Sequence, residues 1–208
     1  MKPFFLFFMA LTSVILLNAC GACTSKKYTC EPQLDLDAQN WLKIDSGKKC
    51  IYKYNGQYDT FTISSYSKSA SDYARSGGLS SRMIPCESTL FAKSKKSDTL
   101  GKTNLNVTLN VQTFYPAKNN IYDATIDIHG SRFRITHFSA EGIEPFDAHK
   151  TSMENVTLIN GITYPLLNIL EKDSLQVKNK QPYKLYFAYQ FGLVAFETYP
   201  LHEVWVLQ

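Results

Sequence analysis

The run Leu105-Asn106-Val107-Thr108-Leu109-Asn110-Val111-Gln112 constrains the fold more than any other part of the chain. Apolar and polar side chains alternate through it without a break. An extended strand sends successive side chains to opposite faces, so this run has one buried and one wet face. Shorter runs of the same kind recur: Cys50 to Tyr54, Tyr58 to Ser64, Ser88 to Lys93, Ala124 to His129 and Ser131 to Phe138. Val156 to Ile159 and Ile162 to Tyr164 follow, then Tyr183 to Tyr189, Gly192 to Glu197 and Glu203 to Leu207. Asn55-Gly56, Gly130 and Asn160-Gly161 punctuate them. Asn-Gly between two such runs predicts a two-residue hairpin turn, because both turn residues must take positive φ. Pro165 predicts an edge position or a bulge, since it has no N–H for a ladder. Only Asp35 to Leu42 and Pro145 to Met153 offer room for a helical turn or two. The expected fold is mainly β and antiparallel, with about eight to ten strands and little helix, built as a β-sandwich or as a strongly curved sheet or partial barrel.

The N-terminus has a different character. Met1-Lys2-Pro3 precedes an apolar stretch from Phe4 to Leu17, broken only at Thr12-Ser13. One positive charge, a short apolar core and a small residue before a cleavage point make a secretory signal over residues 1–19. The stretch is shorter than the roughly 20 residues a bilayer-spanning helix needs. It ends Leu17-Asn18-Ala19-Cys20, which resembles the lipobox of bacterial lipoproteins. Leu17, Ala19 and Cys20 match that pattern; Asn18 departs from it, since the position usually holds a small or β-branched residue. The resemblance implies cleavage before Cys20 and lipid on its sulfur, including a palmitate-type acyl chain. Two or three acyl chains anchor a protein stably, each buried CH₂ contributing about 0.8 kcal/mol. Residues 20–40 are polar and aperiodic and read as a tether; residues 41–208 read as a single β-rich domain.

Five cysteines fall at positions 20, 23, 30, 50 and 86. With Cys20 lipidated an even number remains for an oxidising compartment, and four cysteines allow three pairings. The preferred pairing joins Cys50 to Cys86 and Cys23 to Cys30. No His lies among these cysteines, and their spacing fits no common zinc pattern, so neither a metal nor another cofactor is expected. The formal net charge is only +4 and no Lys/Arg block exceeds a pair. That balance excludes a nucleic-acid partner.

The chain also resembles small, uncharacterised cell-envelope lipoproteins of the Bacteroidetes type. The resemblance rests on the lipobox and tether, on Trp41-Leu42-Lys43 with Ile51-Tyr52-Lys53-Tyr54-Asn55-Gly56, and on the tail. The tail holds Ile159 to Tyr164, Lys184 to Ala188, Gly192 to Phe196 and the closing Glu203-Val204-Trp205-Val206-Leu207. Pro165-Leu166-Leu167 departs from the simple alternation expected there. The resemblance implies a fold type and an address at the outer membrane, and no activity. It also implies O-glycan attachment at Thr99 and Ser174, within Asp98-Thr99-Leu100 and Asp173-Ser174-Leu175.

No residue set carries a catalytic signature. Gly-x-Ser-x-Gly is absent from the sequence, and Ser131 follows His129-Gly130 at a hairpin tip. Asp127, His129, Arg132 and Arg134 form either an anion site or, more simply, a solvated face. His137 shares the Phe133/Ile135 phase and reads as a core or boundary residue. Glu141, Glu144, Asp147 and His149 cluster in one loop without the ligand spacing of a calcium site. The expected function is therefore non-enzymatic: a lipid-anchored envelope protein whose β-domain binds a protein or glycan partner. A carrier of an apolar ligand in a β-cavity and a periplasmic immunity protein against a secreted toxin are the alternatives.

Overall fold

The computed structural model describes residues 26–30, 36–76, 85–95, 105–114, 119–158 and 160–208. In chain order the elements are β1 (Lys26–Thr29), α1 (Leu36–Leu42), β2 (Lys49–Tyr54), β3 (Gln57–Ala70), β4 (Tyr73–Ser76) and β5 (Cys86–Lys95). They continue with β6 (Leu105–Phe114), β7 (Asn119–Ile128), β8 (Ser131–Ser139), β9 (Gly142–Pro145), β10 (His149–Thr157) and β11 (Thr163–Glu171). A 3-10 turn (Ser174–Gln176) leads to β12 (Pro182–Ala188), β13 (Gly192–Thr198) and β14 (Glu203–Leu207). β1 and β4 make a separate two-stranded ribbon. The other twelve strands form one antiparallel sheet in the order β10-β11-β12-β13-β14-β2-β3-β5-β6-β7-β8-β9. Its outer strands, β9 and β10, come back into contact, so the sheet is nearly closed into a barrel. The curved-sheet form of the expected β fold is the one adopted. The strand number exceeds the expectation because β1, β4 and β9 are too short, and β10 too exposed, to show a period.

The alternating run folds as expected. In β6 Leu105, Val107, Leu109 and Val111 are buried, and the residues between them are not. Both His129-Gly130 and Asn55-Gly56 take positive φ at both positions, as two-residue hairpins require. Asn160-Gly161 does not. β10 and β11 pair up to Thr157 and Thr163, leaving a five-residue loop, and among its described residues only Gly161 has positive φ. The Asn160 side chain explains the difference. Its Oδ1 accepts from Ile162 N at 3.1 Å, and its Nδ2 donates to Leu207 O at 3.0 Å. The hairpin tip thus bends across the outer face of the sheet to β14. It helps cover a small outer cluster of Tyr164, Leu167, Ala188 and Val194. Opposite Pro165 the β10–β11 ladder skips Asn155, which takes φ 52°. Pro145 to Met153 is not helical: it holds the end of β9 and most of β10, whose residues are exposed on both faces and so show no period.

The main core fills the barrel. Trp41, Tyr52, Phe61, Phe133, Phe138, Phe187 and Phe196 are among its largest fully buried side chains. α1 packs at one end of the barrel, against the β8–β9 and β12–β13 turns. Its Trp41 Nε1 donates to Ser139 O at 2.6 Å, and Gln190 N donates to Asn40 O at 3.0 Å. Gly192 takes φ +87°, and a Cβ there would lie 2.7 Å from Leu42 O, so the helix can sit this close only over glycine. The stretch read as a tether therefore carries parts of the fold: β1 pairs with β4, and Ala38 of α1 has no exposed surface.

The cysteine pairing differs from expectation. Cys30 and Cys86 are bonded, with Cα atoms 5.6 Å apart, and Cys50 is a buried free thiol. Register explains why Cys50 cannot reach Cys86. Cys50 lies beside Phe61 of β3, whereas β5 begins beyond Ala70, which pairs with Ser88. At about 3.3 Å per residue those positions are roughly 30 Å apart along the strand, against the ~5.5–6 Å a disulfide spans. Cys30 is occupied by Cys86, so it is not available to Cys23, which lies outside the described residues.

Candidate functional site

At the end of the barrel away from α1, the loops after β11 and β13 border an open groove of about 730 Å³. It is lined by His149 of β10, Glu171 of β11, Lys172 and Asp173, Tyr183 and Lys184 of β12, Glu197 of β13, and Tyr199 and His202 of the β13–β14 loop. Backbone hydrogen bonds hold this wall together. Lys172 N donates to Tyr183 O, Lys180 N to Tyr199 O and Tyr199 N to Gln181 O, at 2.7–3.0 Å.

Glu197 anchors the groove. It stands near the end of a strand in which every residue is buried, and a carboxylate there needs partners. Tyr183 OH donates to its Oε1 at 2.5 Å, His202 Nδ1 to the same oxygen at 2.9 Å, and Tyr186 OH to Oε2 at 3.0 Å. The β12–β13 register steps from Pro182–Thr198 to Lys184–Glu197 and leaves Tyr183 out. Tyr183 is the extra residue of a bulge, and a bulge re-aims its side chain. Strict alternation would have placed it with Leu185 and Phe187 in the barrel.

The electrostatics follow from this contact set. Burial alone would push the Glu197 carboxyl up. The hydrogen bonds from Tyr183, His202 and Tyr186, with the charge of Lys184, outweigh it and hold the group below its ordinary range. Burial, reinforced by the Glu197 carboxylate, pushes the Tyr183 and Tyr186 phenols well above theirs. Hydrogen bonds to a charged acceptor contribute roughly 1.5–3 kcal/mol each. The cluster is thus a charged platform whose two phenols keep their protons at neutral pH. A carboxylate only accepts, so the His202 proton facing Glu197 sits on Nδ1, and Nε2 is not engaged by the cluster. The His202 side chain is 64% exposed. Around the platform, Lys184 pairs with Glu171 at 3.3 Å, and Lys172 with Asp147 at 2.9 Å. The Tyr183 ring meets Tyr199 and His202 edge-on.

Of the residues singled out in the sequence, His149 lines the groove, and the other described ones lie outside its lining. Arg132–Asp127 and Arg134–Asp123 are separate surface contacts at 3.6 Å. His129 turns away from both toward Asp59, at 2.7 Å, and packs on Phe61 and Phe196. A register shift between Ile135 and His137 sends His137 outward and Phe138 into the core. In the 141–149 loop, Glu144 pairs with Lys150 and Asp147 with Lys172. Among the described residues no three His, Cys, Asp or Glu side chains are grouped to hold a metal ion. Cys20 and Thr99 lie outside the described residues, and Ser174 opens the 3-10 turn that follows groove residue Asp173. A second depression, of about 390 Å³, lies on the polar outer face of β5–β7, where Gln112 already pairs with Glu87. One sequence signal did point to the groove: Glu197 closes an apolar strand between tyrosine-bearing neighbours. No known protein family matches the chain, and no curated protein or solved structure does either.

Proposed function

We propose that this chain is a bacterial envelope lipoprotein, anchored in the outer membrane through lipid on Cys20, whose β-barrel-like domain binds a protein or glycan partner without catalysing a reaction. The observation that carries the binding part is the groove built on Glu197. Three donors engage both oxygens of its carboxylate, and the phenols beside it hold their protons firmly, which suits a preorganised recognition surface. Among the described side chains lining the groove none is Ser, Thr or Cys, the usual side-chain nucleophiles for a His–carboxylate pair to activate.

The interior favours a surface site over an apolar carrier. Large side chains fill the barrel, and the gap beside Leu42, Cys50 and Leu193 measures about 20 Å³. That is room for about one water, against the ~300–1,000 Å³ of ligand pockets. The immunity-protein reading has no residue in the structure to support it.

The anchor is tested by the intact mass of the protein extracted from membranes. A chain beginning at acylated Cys20 is expected; one beginning at an unmodified residue refutes the anchor. The binding role is tested by assaying the extracted protein on peptide, ester and glycosidic substrates. Saturable turnover that is lost in His202→Ala refutes a non-enzymatic role.

A further inference from the structure

Resting on that reading, we infer that the partner engaged at the groove is a glycan: a short run of neutral pyranose sugars bound through vicinal hydroxyls. The groove offers the matching chemistry. Its charged lining consists of Glu171, Asp173 and Glu197 against Lys172 and Lys184, a near balance that suits an uncharged ligand. Two of these groups are already consumed: Glu197 by its three donors and Lys172 by Asp147. What faces the opening is a mixture of acceptors and donors. Glu171 spends Oε2 on Lys184 and keeps Oε1; Asp173 spends Oδ1 on Leu175 N and keeps Oδ2. His202 keeps Nε2. A sugar hydroxyl donates and accepts at once, and a pair of adjacent hydroxyls matches a carboxylate oxygen beside a ring nitrogen or an amine.

The aromatic residues supply the other half. Tyr199 is half-buried and His202 exposed, side by side against the Tyr183 ring. Rings with an apolar body and a polar tip suit a ligand that alternates C–H faces with hydroxyls. A protein partner would want a different surface, since interface cores are depleted of charged residues, whereas this floor is a charged cluster. The volume of about 730 Å³ is that of a small-ligand cleft, long enough for more than one ring.

The test uses the full lipidated protein in a detergent without a sugar headgroup, with saturation-transfer NMR as the readout. The probes are methyl glycosides of glucose, galactose, mannose and N-acetylglucosamine, with their linear trisaccharides, up to about 10 mM. That is about tenfold above a Kd of 1 mM. We expect transfer to at least one trisaccharide, weakened about tenfold or more in His202→Ala and in Glu171→Gln. Both positions are partly exposed, so folding is kept, and Thr108→Ala on the far face of β6 leaves binding unchanged. No transfer to any probe, or transfer undiminished in both groove variants, overturns the inference. A photo-crosslinker at Leu201, 71% exposed, separates the two readings. Capture of a protein in the intact envelope without sugar binding overturns the glycan and leaves a binding protein. Absence of both overturns the two together.

Discussion

Glu197→Gln isolates what the charge of the groove platform does, because the shape is kept. Gln Oε1 still accepts from Tyr183 OH and His202 Nδ1, while its Nε2 faces Tyr186 OH, which must turn to accept. Each bond passes from a charged acceptor, worth roughly 1.5–3 kcal/mol, to a neutral one, worth about 0.5–1.5 kcal/mol. Over three bonds the loss is roughly 3–4 kcal/mol. The smaller cost of burying an amide in place of a carboxylate offsets part of it. The net expectation at pH 7 is about 1–2 kcal/mol of destabilisation, or a Tm lower by roughly 2–8 °C at about 2–4 °C per kcal/mol in a domain of this size. The pH dependence is the sharper test. The folded Glu197 carboxyl lies below its ordinary value. Its stabilisation is fully present above the unfolded value of about 4.3 and is lost as pH falls through the folded value. The gap between wild type and Glu197→Gln must therefore close on acidification from pH 7 toward pH 3. Urea unfolding followed by tryptophan fluorescence reads it directly, since Trp41 and Trp205 are both buried. A gap that is equal at the two pH values, or a variant more stable at pH 7, refutes the role given to the charge.

Three further outcomes are expected. Trp41→Ala removes the helix side chain seated in the barrel end and its bond to Ser139 O; truncating a buried Trp costs about 3–5 kcal/mol, measurable as a lower urea midpoint. Reducing Cys30–Cys86, which spans a sequence separation of 56, removes up to about 4 kcal/mol on a chain-entropy account; an unchanged urea midpoint with reductant contradicts that. Cys50 is buried, and burial pushes its thiol up against the opposing pull of Lys48; a thiol reagent at pH 8 modifies it only after denaturant is added, and rapid labelling of Cys50 itself in the native protein, located by peptide mapping, refutes its burial.

Local signals in the chain were reliable where they acted over a few residues. The alternation of Leu105 to Gln112 became β6, and Asn55-Gly56 and His129-Gly130 became tight turns. Signals failed where a side chain was recruited from far away. Asn160 could have closed a two-residue turn, but its amide bonds Leu207 O, 47 residues on, and a wider loop results. His137 keeps the phase of Ile135 in the sequence, and one register shift against β9 reverses it. Cys50 and Cys86 look equivalent as partners until the offset along β3 is known. The groove was half legible. A Glu at the end of Gly192–Thr198, a strand apolar enough to be buried on both faces, had to find donors. Which donors depended on the bulge at Tyr183 and on the path of the β13–β14 loop, and neither leaves a trace in periodicity.

The groove also lies where the sheet fails to close by its own hydrogen bonds, and the two facts are connected. β9 is four residues long and ends at Pro145; β10 has nine. A proline offers no N–H to extend a ladder, so the outer strands meet without zipping together. Side chains join them instead. Asn168 of β11 accepts from Ile143 N at 2.8 Å, Lys150 pairs with Glu144, and Lys172 pairs with Asp147. A sheet edge left open is a template for another chain, and these contacts cover it. They also fix one wall of the groove. His149 opposite Glu171 and the adjoining Lys172 belong at once to the seam and to the lining. Full backbone closure would have continued the ladder through this region and left less room for charged side chains to splay outward. Closing the seam through side chains stabilises the barrel while keeping Glu171, Lys172 and His149 grouped beside the Glu197 platform.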